Sequence, residues 1–239
     1  SQHHVTANEA ESAALAVNNG CQLNCSSAYK WLKTAVACGM LTEETITEAV
    51  ERLFTARFRL GMFADDCEYD KISYDVVECA EHTALNRKMA QESIVLLKNN
   101  GILPLKNGCS IAVIGPNADD RSVLLGNYNG TPSRCATLLN GIQEASTGKV
   151  TYARGCHIFD DGAFEWAEQP LREALIAAKR SDVVILCMGL NPSMEGEEGD
   201  AYNGAISGDR QNLDLPHSQQ KLYTEIMRLG KPVVFINVS

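Results

Sequence analysis

The stretch MEGEEGDAYNGAISGDR, residues 194–210, gathers Glu195, Glu197, Glu198 and Asp200 within six positions, directly after a short apolar run. Four readings compete for so many carboxylates so close together. One is a solvated acidic loop. A second is a divalent-metal site, since carboxylates are hard oxygen ligands, but the spacing lacks the Asp/Asn ladder of a calcium loop. A third is a phosphate loop, which the sequence argues against: no Lys-Ser/Thr follows the glycines, and the acid would repel phosphate. The fourth is general acid catalysis. A carboxyl crowded by other carboxylates has its pKa raised, because a second negative charge nearby is disfavoured. Such a group stays protonated near neutral pH and can donate to a leaving oxygen. Glycoside hydrolysis is one reaction that needs such a group, facing a second carboxylate.

Other candidates carry less chemistry. His3 and His4 are adjacent, so their side chains would diverge on a strand, and a solvated start suits them better than a ligand pair. His82, His157 and His217 are isolated and read as structural. IAVIGPNADD (111–120) resembles a turn at a strand end more than a dinucleotide fingerprint. GNYNGTP (126–132) is either a pocket-lining loop or a plain turn. No cofactor and no metal is expected from these patterns.

The elements that must position the acidic stretch are legible as periods. Asn8–Asn18 and Ala28–Cys38 read as helices stopped at Gly20 and Gly39. Residues 41–63 form a third helix, with Glu43 and Glu44 in its first turn and Arg57 and Arg59 in its last, as a helix dipole favours. Its stripe is Ile46, Val50, Leu53, Phe54 and Phe58. ADDCEYDKISYD (64–75) has no period and reads as a linker, and a long helix is expected over about 77–98. Alternation then begins. Strands are expected at 109–116, 149–155, 181–190 and 231–239, with helices over about 133–145, 170–180 and 218–229 between them. Continuously apolar strands separated by helices indicate an α/β fold with a mainly parallel sheet covered on both faces. Ligands gather at the carboxyl ends of such strands, and the acidic stretch stands there, after the third.

Composition narrows the partners. A net charge of −9, with no Lys/Arg run, makes nucleic acid an unfavourable partner. The longest apolar runs fall well short of the roughly 20 residues that span a bilayer, so no membrane is expected. The nine cysteines are scattered without a CxxC pair, which suits a reducing compartment better than a disulfide framework. With no signal peptide in SQHHVTANEA, the expectation is a cytoplasmic protein. Both ends look cut, the first lacking Met and entering mid-pattern, the last stopping on a strand.

AQESIVLLKNNGILPLK (90–106), IAVIGPNAD (111–119), GNYNGTPS (126–133), DVVILCMGLNPSMEGEEGD (182–200) and GDRQNLDLPHSQQKLY (208–223) together resemble the second domain of glycoside hydrolase family 3. ESAALAVNNGCQLNCSSAY and GMLTEETITEAVERLFTARFRLGMF are similar to the last strand and helices of that family's first domain. The resemblance runs the whole chain in the family's order, nearest the β-xylosidases, β-glucosidases and arabinosidases. It implies the C-terminal end of a (β/α)8 barrel over 1–63, a linker and connecting helix over 64–100, and an α/β sandwich over 101–239, incomplete at its C-terminus. It further implies an active site between the two domains and a retaining, two-step hydrolysis of terminal β-D-glycosides. An Asp of the barrel is the nucleophile, and a Glu of the sandwich is acid and then base. Here Glu197 fits the acid/base position best and Glu195 is the alternative, with Glu198 and Asp200 tuning its pKa or touching sugar hydroxyls. The family's Ser-Asp nucleophile motif is absent from residues 1–20, and Gln22 replaces the Asp usual after Gly-Cys. The chain is therefore expected to lack its nucleophile and to be inactive without the missing barrel portion. The alternative is a non-catalytic carbohydrate-binding or interaction module reusing the sandwich.

Overall fold

The computed structural model describes residues 5–25, 27–126, 129–159, 168–192, 194 and 212–238. The fold is α/β. Among the described residues it has seven α-helices and a four-stranded sheet, in two compact units, residues 1–77 and 78–239.

In the first unit, α1 (Glu9–Asn18), α2 (Leu32–Ala37) and α3 (Glu43–Arg59) pack around small side chains. Ala10, Ala14, Val17, Ala35 and Leu41 are buried together, with Ile46 and Ala49 of α3 against them. Asn8 caps α1 by accepting from the Glu11 N–H, and Thr42 caps α3 by accepting from the Thr45 N–H. Each cap satisfies one of the donors a helix start leaves open. The stripe expected on α3 is only partly covered, since Val50, Phe54 and Phe58 are exposed. Phe63 folds back onto Phe54 and Phe58, at ring distances of 5.8 and 4.5 Å.

The second unit opens with α4 (Ala80–Ser93), shorter than the helix expected to Lys98. Ile94 turns to extended backbone at φ −75°, ψ 121°. The β-branched pair Ile94–Val95 disfavours continuing the helix. Strands β1 (Ile111–Ile114), β2 (Val150–Ala153), β3 (Val183–Gly189) and β4 (Val233–Val238) are all parallel, in the order β2-β1-β3-β4. Each crossover runs through a helix: α5 (Leu138–Ala145), α6 (Glu168–Lys179) and α7 (His217–Met227).

Residues alternate between the two faces of the central strands. Ala112, Ile114, Val184, Leu186 and Met188 face α6 and α7, meeting Ala174, Ala178, Leu222 and Ile226. Ile111, Val113, Ile185 and Cys187 face the other way, onto Leu139 of α5. Burying a Leu or Ile side chain of this kind contributes about 1.5–3 kcal/mol. Burial on both faces is why β1 and β3 read as unbroken apolar runs. Helix α5 begins at Leu138, not near Ser133, because Thr137 is its N-cap: its hydroxyl accepts from the Asn140 N–H while Asn140 Oδ1 accepts from the Thr137 N–H.

Candidate active site at the carboxyl edge of the sheet

The strand order reverses beside β1. The chain leaves β1 for β2 on one side, by way of α5 on one face, and then crosses to β3 on the other side. From β3 it passes through α7 on the opposite face. The carboxyl ends of β1 and β3 are thus a topological switch point, the place where open α/β sheets bind ligands. The acidic stretch follows β3 there. Glu195, Glu197, Glu198 and Asp200 themselves lie outside the described residues, as do His3 and His4. Its root, residues 189–192 and 194, is described in full.

At that root, glycines let backbones close in. Gly115, after β1, has φ +136°, and a Cβ there would stand 2.0 Å from the carbonyl oxygen of Cys187. Gly189, at the end of β3, has φ +116°, and a Cβ there would stand 1.9 Å from the carbonyl oxygen of Val238. Only glycine combines that φ with so close an approach.

Polar side chains from separate segments then fix the root. The carboxamide of Asn117, wholly buried, donates to the Leu190 carbonyl at 3.3 Å. The Leu190 N–H donates to Val238 at 2.8 Å. Asn191 Nδ2 donates to Asp120 Oδ2 at 3.1 Å and to the Ser122 hydroxyl at 3.3 Å, joining the loop after β3 to the loop after β1. Asp120 is itself held by the Ser122 N–H at 2.8 Å. Gln219 of α7, also wholly buried, accepts from the Gly189 N–H and donates to the Gly189 and Ile158 carbonyls, each at 2.8 Å. Met194 is buried beside this framework and its N–H donates to Asn191. The residue before the first glutamate is therefore anchored.

The neighbouring polar groups have partners of their own. Asp119 Oδ1 accepts from the Thr137 hydroxyl at 2.9 Å. Burial, then the nearby Asp119 carboxylate, raises the pKa of Tyr152. Burial pushes the Cys187 thiol up to about 12, so it stays a neutral packing group. Among the described residues, no cluster of three or more His, Cys, Asp or Glu side chains is placed to hold a metal ion, and no helix is long and apolar enough to cross a membrane.

Asn117, Asp120, Asn191 and Gln219 were not among the residues expected from sequence. A signal existed for one of them: Gln219 shares the inward stripe of α7 with Leu222 and Ile226, and a polar residue on a buried stripe must find partners there. The residue types of GPNADD resemble a turn and give no sign of the contacts that Asn117 and Asp120 make with the loop after β3.

Known proteins place the chain. The family model for the glycosyl hydrolase family 3 C-terminal domain matches residues 94–239. A probable exo-1,4-β-xylosidase of Aspergillus flavus is 34% identical, covering 98% of this chain and 29% of the relative. Another, from Aspergillus terreus, is 31% identical, covering 99% and 28%. In three dimensions, a family 3 exo-β-xylosidase solved with a xylobiose aziridine activity-based probe superposes with a TM-score of 0.77 and 29% identity. It is covered over 29% of its length, and this chain over 98%. A β-glucosidase of Erythrobacter marinus gives a TM-score of 0.73 and 31% identity, with 98% of this chain and 34% of that one covered. The chain thus spans about 29% of the length of the curated relative from Aspergillus flavus. Its sheet, its switch point and these likenesses agree: the chain belongs to glycoside hydrolase family 3.

Proposed function

We propose that this chain carries the acid/base carboxyl of a retaining β-glycosidase of the β-xylosidase or β-glucosidase type, with Glu197 in that role and Glu195 as the alternative. The observation that supports this most is the acidic stretch beginning one residue beyond the anchored root, at the switch point between β1 and β3. In the first step the protonated carboxyl gives its proton to the leaving oxygen as a nucleophilic carboxylate attacks the sugar. In the second, the same carboxylate takes a proton from the water that releases the sugar. Glu198 and Asp200 adjust the proton affinity of the acid or meet sugar hydroxyls. The nucleophile, about 5–5.5 Å from the acid in retaining enzymes, comes from outside these 239 residues, so the chain alone turns over no glycoside.

The test is a fusion in which residues 1–239 replace the matching segment of the Aspergillus flavus relative, assayed on aryl β-xylosides and β-glucosides. Removing a general acid costs about 10²–10⁴-fold. Glu197→Gln is expected to lower kcat/KM by that factor on an aryl glycoside with a poor leaving group. On a dinitrophenyl glycoside, whose leaving group needs no proton, kcat/KM is expected to hold. Added azide, which attacks the glycosyl-enzyme without a base, should restore turnover. If Glu195→Gln shows this pattern and Glu197→Gln does not, the roles exchange. A fusion that folds but turns over neither substrate, or that keeps full activity in both variants, defeats the reading.

A further inference from the structure

In a parallel ladder, one residue's N–H and C=O both point to the same neighbouring strand. On β3 the even-numbered residues point to β4: the Val184 N–H donates to Pro232 and the Leu190 N–H to Val238. The odd-numbered ones point to β1, where the Val183 N–H donates to Ser110 and Cys187 O accepts from the Asn117 N–H. Gly189 therefore faces β1. The register pairs Ile114 with Leu186, so the partner of Gly189 would be three residues beyond Ile114, where β1 has already left the sheet. A buried peptide without partners would carry the full desolvation penalty of both its polar groups.

The side chain of Gln219 fills that place. Its Oε1 takes the Gly189 N–H and its Nε2 gives to the Gly189 carbonyl, both at 2.8 Å, as the missing strand's peptides would. The second hydrogen of Nε2 goes to Ile158 O, also at 2.8 Å, tying in the segment that follows β2. We infer that Gln219 is a positioning residue for the acid/base: it stands in for the absent strand and holds the root from which the acidic stretch departs. This rests on the proposed catalytic role of that stretch. Only a carboxamide suits the place. A carboxylate would set its oxygens against two carbonyls, and a hydrocarbon would leave three polar groups unpaired. A protonated carboxyl would restore one of the two donors.

The experiment uses the same fusion, with Gln219→Leu, Gln219→Glu and, as a stability control on the same helix, Leu222→Ala. A misplacement of about 1 Å costs on the order of 10²-fold in rate. Gln219→Leu is expected to lose that much kcat/KM on the poor-leaving-group substrate and to stay within a few fold on the dinitrophenyl glycoside. Gln219→Glu should start equally impaired near neutral pH and recover as the pH falls and its carboxyl protonates, against a wild type whose profile lacks that rise. Leu222→Ala should lower the melting temperature while changing both substrates alike. Equal losses on both substrates for Gln219→Leu, or no acid recovery for Gln219→Glu, overturn the inference while a Glu197→Gln or Glu195→Gln acid signature leaves the catalytic reading standing. Absence of that signature in both glutamate variants overturns the two together.

Discussion

Asp182 and Ser110 close the edge of the sheet opposite the acidic stretch, just ahead of β3 and β1. The carboxylate accepts from the Ser110 N–H at 2.8 Å and from its hydroxyl at 2.7 Å, and that hydroxyl accepts from the Asp182 N–H at 3.0 Å. The hydroxyl bond, then the backbone bond, hold the Asp182 pKa below its ordinary 3.8. A carboxylate depressed in the folded state stabilises the fold above its unfolded pKa and loses that contribution as pH falls through the folded value. Asp182→Ala should therefore lower the melting temperature at neutral pH, and the gap to the wild type should close progressively below 3.8. A gap of constant size down to the lowest pH would mean that the pair contributes through packing alone.

At the scale of elements, caps and crossovers decide where the chain turns. The reciprocal bonds of Thr137 and Asn140 start α5, and the Thr137 hydroxyl also donates to Asp119 after β1. Removing an N-cap oxygen costs about 1 kcal/mol. Thr137→Ala is thus expected to destabilise the chain by at least that much in chemical denaturation, and Thr137→Ser to recover most of it. Elements of this kind were largely readable in advance. The β1 and β3 runs are apolar at every position because both faces are covered, and α1, α3 and α7 carry local caps or periods. The boundaries of α4 and α5 were less readable. In α4 the Ile94–Val95 pair outweighs the run of helix formers before it, and in α5 the cap, Thr137, lies four residues inside the expected start. The carboxyl edge was legible as a place, through the alternation of strands and helices. The side chains that hold it were not, because Asn117–Leu190 and Gly189–Gln219 are contacts across 73 and 30 residues, and such pairings leave no local period.

At the scale of the whole molecule, the longest run of exposed large apolar side chains among the described residues is Ile94, Val95, Leu96 and Leu97, exposed at 79, 71, 64 and 87%. Leu85 and Met89 of α4 are exposed beside them in sequence. Side chains already in water contribute little to folding, and surface substitutions usually fall within about 0.5 kcal/mol. Replacing Ile94 and Leu96 by Ser should leave the melting temperature of the 239-residue chain in place and reduce its binding of an apolar dye. A drop of several degrees would show that these residues are packed after all.

The strand order also sets a sequence of events in time. The two central strands are distant in the chain, with Ile111 opposite Val183, so β2 is made and able to pair with β1 before β3 exists. Non-local pairings of this type bear the cost of closing long loops before they gain contacts, which slows them. The root of the acidic stretch needs Asn117 from the first strand's end, Gln219 from the last helix and Val238 from the last strand. It therefore cannot be completed before the last strand of the described sheet, β4, has been made.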